Sequence, residues 1–121
     1  MGVRALEHLL ILEMNTPITL IVALFIHPDR RAEFENFETQ AAEIMSRVGG
    51  RIERRIGCSN KDDASAPDEV HLVTFPDEDS YNRYRESPEI KALASLRAIA
   101  IRKTFVWRGT EFPAFNKSTK S

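Results

Sequence analysis

The chain has 121 residues, enough for one domain built around one core. Hydrophobic residues make up 42% and charged residues 29%, the balance of an ordered globular chain and not of a disordered one. Seventeen basic side chains offset eighteen acidic ones, so no global field recruits nucleic acid or an anionic membrane, and neither partner is expected.

No apolar run has the length needed to cross a bilayer. The apolar stretch of residues 9–12 lies between Glu7 and Glu13, and no small-residue cleavage site follows, which argues against a signal peptide. Val3, Leu6, Leu9 and Leu10 recur at helical spacing. Residues 1–16 therefore read as an N-terminal extension, either a short docked helix or a loose appendage. A single cysteine, Cys58, excludes an internal disulfide framework and suits the cytoplasm, the expected location.

Residues 18–27 are apolar at nearly every position and rich in β-branched side chains, as in a strand buried on both faces. The period then changes. Phe34, Phe37, Ala41, Ile44, Met45 and Val48 form one stripe of an amphipathic helix. Pro28 and Asp29 suit its first turn, and Gly49-Gly50 suits its end. Residues 51–58 alternate, with Ile52 and Ile56 on one face and Arg51, Glu53 and Arg55 on the other; a strand so charged belongs at a sheet edge. Residues 59–69 are a polar loop, and residues 70–75 form a largely apolar, central strand.

Two helix starts follow. Asp77 can cap one, and Ser87-Pro88-Glu89 supplies a serine cap, a proline at the first helical position and a carboxylate in the first turn. Residues 99–109 alternate again as a last strand, with Ile101, Phe105 and Trp107 on one side and Val106 on the other. Residues 111–121 read as a C-terminal tail.

The order is β-α-β-β-α-β, so the predicted fold class is α+β: a ferredoxin-like domain over residues 17–110, with a four-stranded antiparallel sheet and both helices on one face. The first strand is apolar on its helix-free side as well, through Ile21, Ala23 and Phe25. A bare apolar sheet face is a sticky patch. A second copy across a two-fold axis is the expected cover, giving a homodimer through the sheet face.

These elements, with the words they contain, resemble the dimeric α/β-barrel superfamily, and most nearly a domain-of-unknown-function family with Gly-Gly-Arg and Ser-Pro-Glu-Tyr motifs. The matching residues are Gly49, Gly50, Arg51, Arg55 and Gly57, then Phe75-Pro76-Asp77, and finally Ser87, Pro88, Glu89 and Arg97. Ile90 stands in place of the motif's tyrosine, and Tyr84 where a tryptophan is common. The superfamily resemblance implies a dimeric barrel and a range of chemistries: cofactor-free monooxygenases, lactone isomerases, haem enzymes and ligand-sensing modules. A shared fold does not select among them.

The candidate ligand-binding residues are Arg97, Arg55, His71 and Tyr84. Two guanidiniums converging on a cavity would bind a carboxylate or enolate bidentately. The competing reading pairs Arg97 with Glu89 or Glu86, and Arg55 with Glu53 across a dimer interface. His71 alternates with Val73 and Phe75 on a central strand, where it is either a satisfied core histidine or a base. Cys58 and His71 could approach across the hairpin, but no third, orienting group is visible. His8, His27 and His71 lie in unrelated elements, so no metal is expected, and nothing marks an axial haem ligand; the expected cofactor is none. Two functions stay open. One is a small-molecule binding protein for an apolar or carboxylate-bearing compound. The other is a cofactor-independent monooxygenase or isomerase acting on an enolisable aromatic or lactone-like compound.

Overall fold

The computed structural model describes residues 16–59 and 62–115. Its elements are β1 (Ile18–Ile26), α1 (Arg31–Ser46), β2 (Arg51–Gly57), β3 (Glu69–Phe75), α2 (Glu78–Glu86), α3 (Pro88–Lys91), α4 (Ala94–Ala100) and β4 (Ile101–Gly109). The sheet order is β2-β3-β1-β4, with every neighbouring pair antiparallel. This is the ferredoxin-like α+β arrangement, with the apolar strands β1 and β3 central and the charged β2 at an edge. The expected N-terminal helix falls outside the described residues.

The apolar stripe of α1 buries Phe34, Phe37, Ala41 and Met45 against the sheet. Two clusters result. One joins Phe34, Phe37 and Ala41 to Leu24, Ala100 and Ile101, and the other joins Met45 to Leu20, Val73 and Phe75. Gly49, at φ 84°, turns the chain out of α1 through the left-handed region, as glycine does without a Cβ clash. Gly50 follows where no side chain fits, because a Cβ there would lie 2.5 Å from both Met45 Cγ and Phe75 Cε1.

Several details differ from the pattern in the sequence. The Pro28-Asp29 pair forms a turn ahead of α1, which begins at Arg31, and Asp29 adopts φ 61°. The second helical region is three short helices, broken at Ser87 and again at Ala92-Leu93. Asp77 caps α2 by accepting from Ser80 N at 2.7 Å, and Ser87 caps α3 by accepting from Ile90 N at 3.1 Å. Ile99 and Ala100 belong to the end of α4, and a register shift beside Ile26 turns Ile101 to the helix side, away from Phe105 and Trp107.

The largest correction is in β2. A shift between Ile52 and Arg54 breaks the alternation, as a bulge does when two residues oppose one. Ile52 opposes Val73 and Arg55 opposes His71, so both face the helices, while Ile56 opposes Val70 on the helix-free side. That helix-free side carries Ile21, Ile56, Phe105 and Trp107, each at least 37% exposed.

Candidate functional site

Between the broken helices and the sheet lies a cavity of about 410 Å³, within the range of small-molecule sites. Its floor is the helix-facing row of β1 and β3, and its roof is α1 with the α2–α4 segment. Most of the wall is apolar, including Val22, Phe37, Val73, Ile90 and Ile101. The polar groups are few: Glu38, His71, Thr104, Arg85 and Arg97, with the rings of Tyr81 and Tyr84.

His71, Tyr84 and Arg97 thus line one cavity. Arg55 does not. Its Nε donates to Glu69 Oε1 at 3.1 Å and its Nη2 to Glu69 Oε2 at 2.8 Å, while the same guanidinium reaches Glu35 Oε2 at 2.8 Å. Glu69 also accepts from Arg31 Nη1. Arg97 pairs with neither Glu89 nor Glu86; its Nη2 donates to Thr104 Oγ1 on β4 at 2.9 Å. Cys58 lies beyond the end of β2, opposite Asp68, and does not line this cavity. Among the described residues no cluster has the makeup of a metal site.

The orienting group that the sequence did not reveal is Glu69. His71 Nε2 lies 2.8 Å from Glu69 Oε1, and both side chains are almost fully buried. Burial alone would raise the Glu69 carboxyl. Hydrogen bonds from Arg55, His71 and Arg31 outweigh it and hold the group at about 2. An ionised carboxylate only accepts, so Nε2 carries the hydrogen and donates. In the neutral ring the lone pair is then on Nδ1.

Nδ1 faces a second carboxyl of opposite character. Glu38 Oε1 lies 3.8 Å away, too far for a direct hydrogen bond but close enough for one atom to touch both. Burial, with repulsion from Glu69, pushes the Glu38 carboxyl up to about 7, against the attraction of Arg55 and Arg97. Burial and the nearby Glu38 also push the Tyr84 hydroxyl up to about 12, so at neutral pH it is a donor and not a base. The sequence did carry a signal for Glu38. It sits at i+4 from Phe34 and i−3 from Ala41, a carboxylate inside the apolar stripe of α1.

A buried His–Glu pair and a second carboxyl shifted toward neutrality thus stand together at one apolar cavity. The chain belongs to the DUF1330 family, a domain of unknown function whose model matches residues 19–110. No curated protein matches the sequence. Among solved structures, a protein of unknown function from Rhodopseudomonas palustris superposes with a TM-score of 0.68 at 12% identity, covering 92% of this chain and 94% of its own. The cofactor-independent oxygenase SnoaB from Streptomyces nogalater gives 0.62 at 18% identity, covering 84% and 99%. A dimeric ferredoxin-like protein of unknown function from Thermobifida fusca gives 0.56 at 13% identity, covering 80% and 92%. At such identities the likeness is one of fold. Among the described residues no helix is long and apolar enough to cross a membrane.

Proposed function

We propose that this protein is a homodimer that binds a small, largely apolar molecule in the cavity and moves a proton on it, without a cofactor. The observation that carries the reading is His71 held between two unlike carboxyls, ionised Glu69 behind the ring and Glu38 on the cavity side at 3.8 Å. His71 Nδ1 takes the acidic proton of an enolisable aromatic or lactone-like ligand. Glu69 stabilises the resulting imidazolium, and Arg31 and Arg55 keep Glu69 ionised and in place. Tyr84 donates to the developing enolate oxygen. Glu38, near 7, holds or returns a proton at working pH. An enolate made this way can be reprotonated elsewhere, as in an isomerase, or be consumed by dioxygen. The likeness to a Streptomyces cofactor-independent oxygenase supports the second route.

The dimer is proposed on the helix-free sheet face, where Ile21, Ile56, Phe105 and Trp107 form an apolar surface that a second copy would cover. The dimeric Thermobifida neighbour supports it. The lone, half-buried Cys58 suits a cytoplasmic location.

The test is deuterium exchange at the acidic C1 position of 2-tetralone, followed by proton NMR in D2O. Wild type is expected to accelerate exchange, and His71→Asn to lose about a hundredfold or more of that rate while still binding the ketone. Binding without accelerated exchange in wild type would reduce the protein to the other class, a small-molecule binding module.

A further inference from the structure

We infer that the ligand is an anion, an apolar body bearing a carboxylate that docks on Arg97 and Arg85, with Arg85 a determinant of specificity. The inference rests on the cavity reading above and narrows its ligand class. Seven of the eleven described arginines are ion-paired. Arg30, Arg31, Arg47, Arg51, Arg55, Arg83 and Arg108 all contact a carboxylate within 4 Å. Of the four described arginines without a carboxylate within 4 Å, Arg54 and Arg102 lie away from the cavity, while Arg85 and Arg97 line it.

Both are nonetheless held in place, and by neutral groups. Arg97 donates to Thr104 Oγ1 at 2.9 Å, which ties it to the cavity side of β4. Arg85 donates to Asn82 Oδ1 and lies over the Tyr81 ring at 4.4 Å. A neutral anchor fixes the direction of a guanidinium without neutralising its charge, and leaves N–H donors for an incoming oxyanion. Glu86 and Glu89 sit beside these arginines in sequence, yet neither closes an ion pair with them. Among the described residues the one carboxyl on the cavity wall, Glu38, is raised to about 7 by burial, which limits its repulsion of a bound anion. The apolar wall then takes the ligand's body, and the His71–Glu38 end takes its reactive position.

Calorimetric titration with 2-naphthoate and with neutral 2-naphthamide tests this, since the two share a ring system and differ in charge. The acid is expected to bind wild type at least tenfold more tightly. Arg97→Gln and Arg85→Gln should each weaken the acid by about tenfold to a hundredfold, as for a lost charge-assisted hydrogen bond, and weaken the amide far less. Nuclear Overhauser contacts from the naphthyl ring to the Val22 and Ile101 methyls should place it in the cavity. Equal affinity of wild type for acid and amide, or acid binding without those contacts, overturns the anion proposal even if tetralone exchange is seen. Tetralone exchange that fails while the acid still binds in the cavity overturns the proton-transfer reading alone. The wild-type comparison decides the matter even if an arginine variant does not fold.

Discussion

Replacing Glu38 with glutamine is expected to stabilise the fold in alkali and leave it nearly unchanged in acid. The Glu38 carboxyl is raised, chiefly by burial, from its usual 4.5 to about 7. Well below 4.5 both folded and unfolded chains hold the proton, and the side chain costs nothing. As pH rises through 4.5 the unfolded chain releases a proton that the folded chain keeps, so stability falls. The loss is complete once pH passes about 7 and both states are ionised. The gap between 4.5 and about 7 corresponds to roughly 3 kcal/mol. Only 14% of the side chain is exposed, so solvent screening removes little of this.

Glutamine keeps the shape and cannot ionise. Glu38→Gln should therefore exceed wild type by about 2–3 kcal/mol at pH 8.5 and match it within about 0.5 kcal/mol at pH 4. Urea unfolding curves at the two pH values measure the difference directly. A difference that is constant with pH, or a glutamine variant less stable than wild type at pH 8.5, would refute a buried, proton-holding Glu38. The same variant should slow tetralone exchange, so stability and activity are expected to move in opposite directions, as at sites where a costly group is kept for its chemistry.

Glu69 has the opposite sign: held at about 2, it stabilises the fold above 4.5, and that contribution is lost as pH falls through 2. Glu69→Gln should cost about 3–5 kcal/mol at pH 7, because Arg55 and His71 lose a buried partner, and much less at pH 2.5; urea unfolding checks both. Its nitrogen-15 NMR spectrum should show His71 no longer confined to the Nε2–H form, and an unchanged tautomer would count against Glu69 as the orienting group. On the helix-free face, Trp107→Arg should give a folded monomer at micromolar concentration by sedimentation, and a wild type that is already monomeric there would end the dimer proposal. Gly50→Ala should lose about 1–3 kcal/mol, since its Cβ would sit 2.5 Å from the Met45 and Phe75 side chains; an unchanged urea midpoint would show that the packing yields freely.

The fold was legible because each element announces itself through several independent signals. The apolar stripe of α1, the glycines that end it, the Asp77 and Ser87 caps and the apolar strands all point to one topology. Of the candidate site, the sequence picked out His71, Tyr84 and Arg97, which the fold brings to one cavity. Glu69 stayed hidden because it stands at the junction of a polar loop and β3, where an acid reads as solvated. Only the strand register shows it sharing the inward face with His71. Glu38 was readable in principle, but one carboxylate in a helix stripe is also what a tolerated flank position looks like.

Arg55 shows why the rest was out of reach. Strict alternation along residues 51–58 groups it with Arg51 and Glu53 and aims it away from Ile52. One bulge, placed after Ile52, reverses that assignment. A strand has a period of two, so a single extra residue moves every later side chain to the other face. Arg55 is thereby turned inward, opposite His71, where Glu69 accepts from its Nε and Nη2. Without the shift Glu69 would lose its bidentate partner. Burial would then act against a carboxylate held by Arg31 and His71 alone, and the group would be easier to protonate. Once protonated, it could no longer fix the His71 tautomer or stabilise a positively charged ring. The tautomer on which the proposed proton transfer depends is therefore set partly in β2, by a backbone irregularity that begins beside Ile52 on the cavity wall and acts on His71 through Arg55 and Glu69.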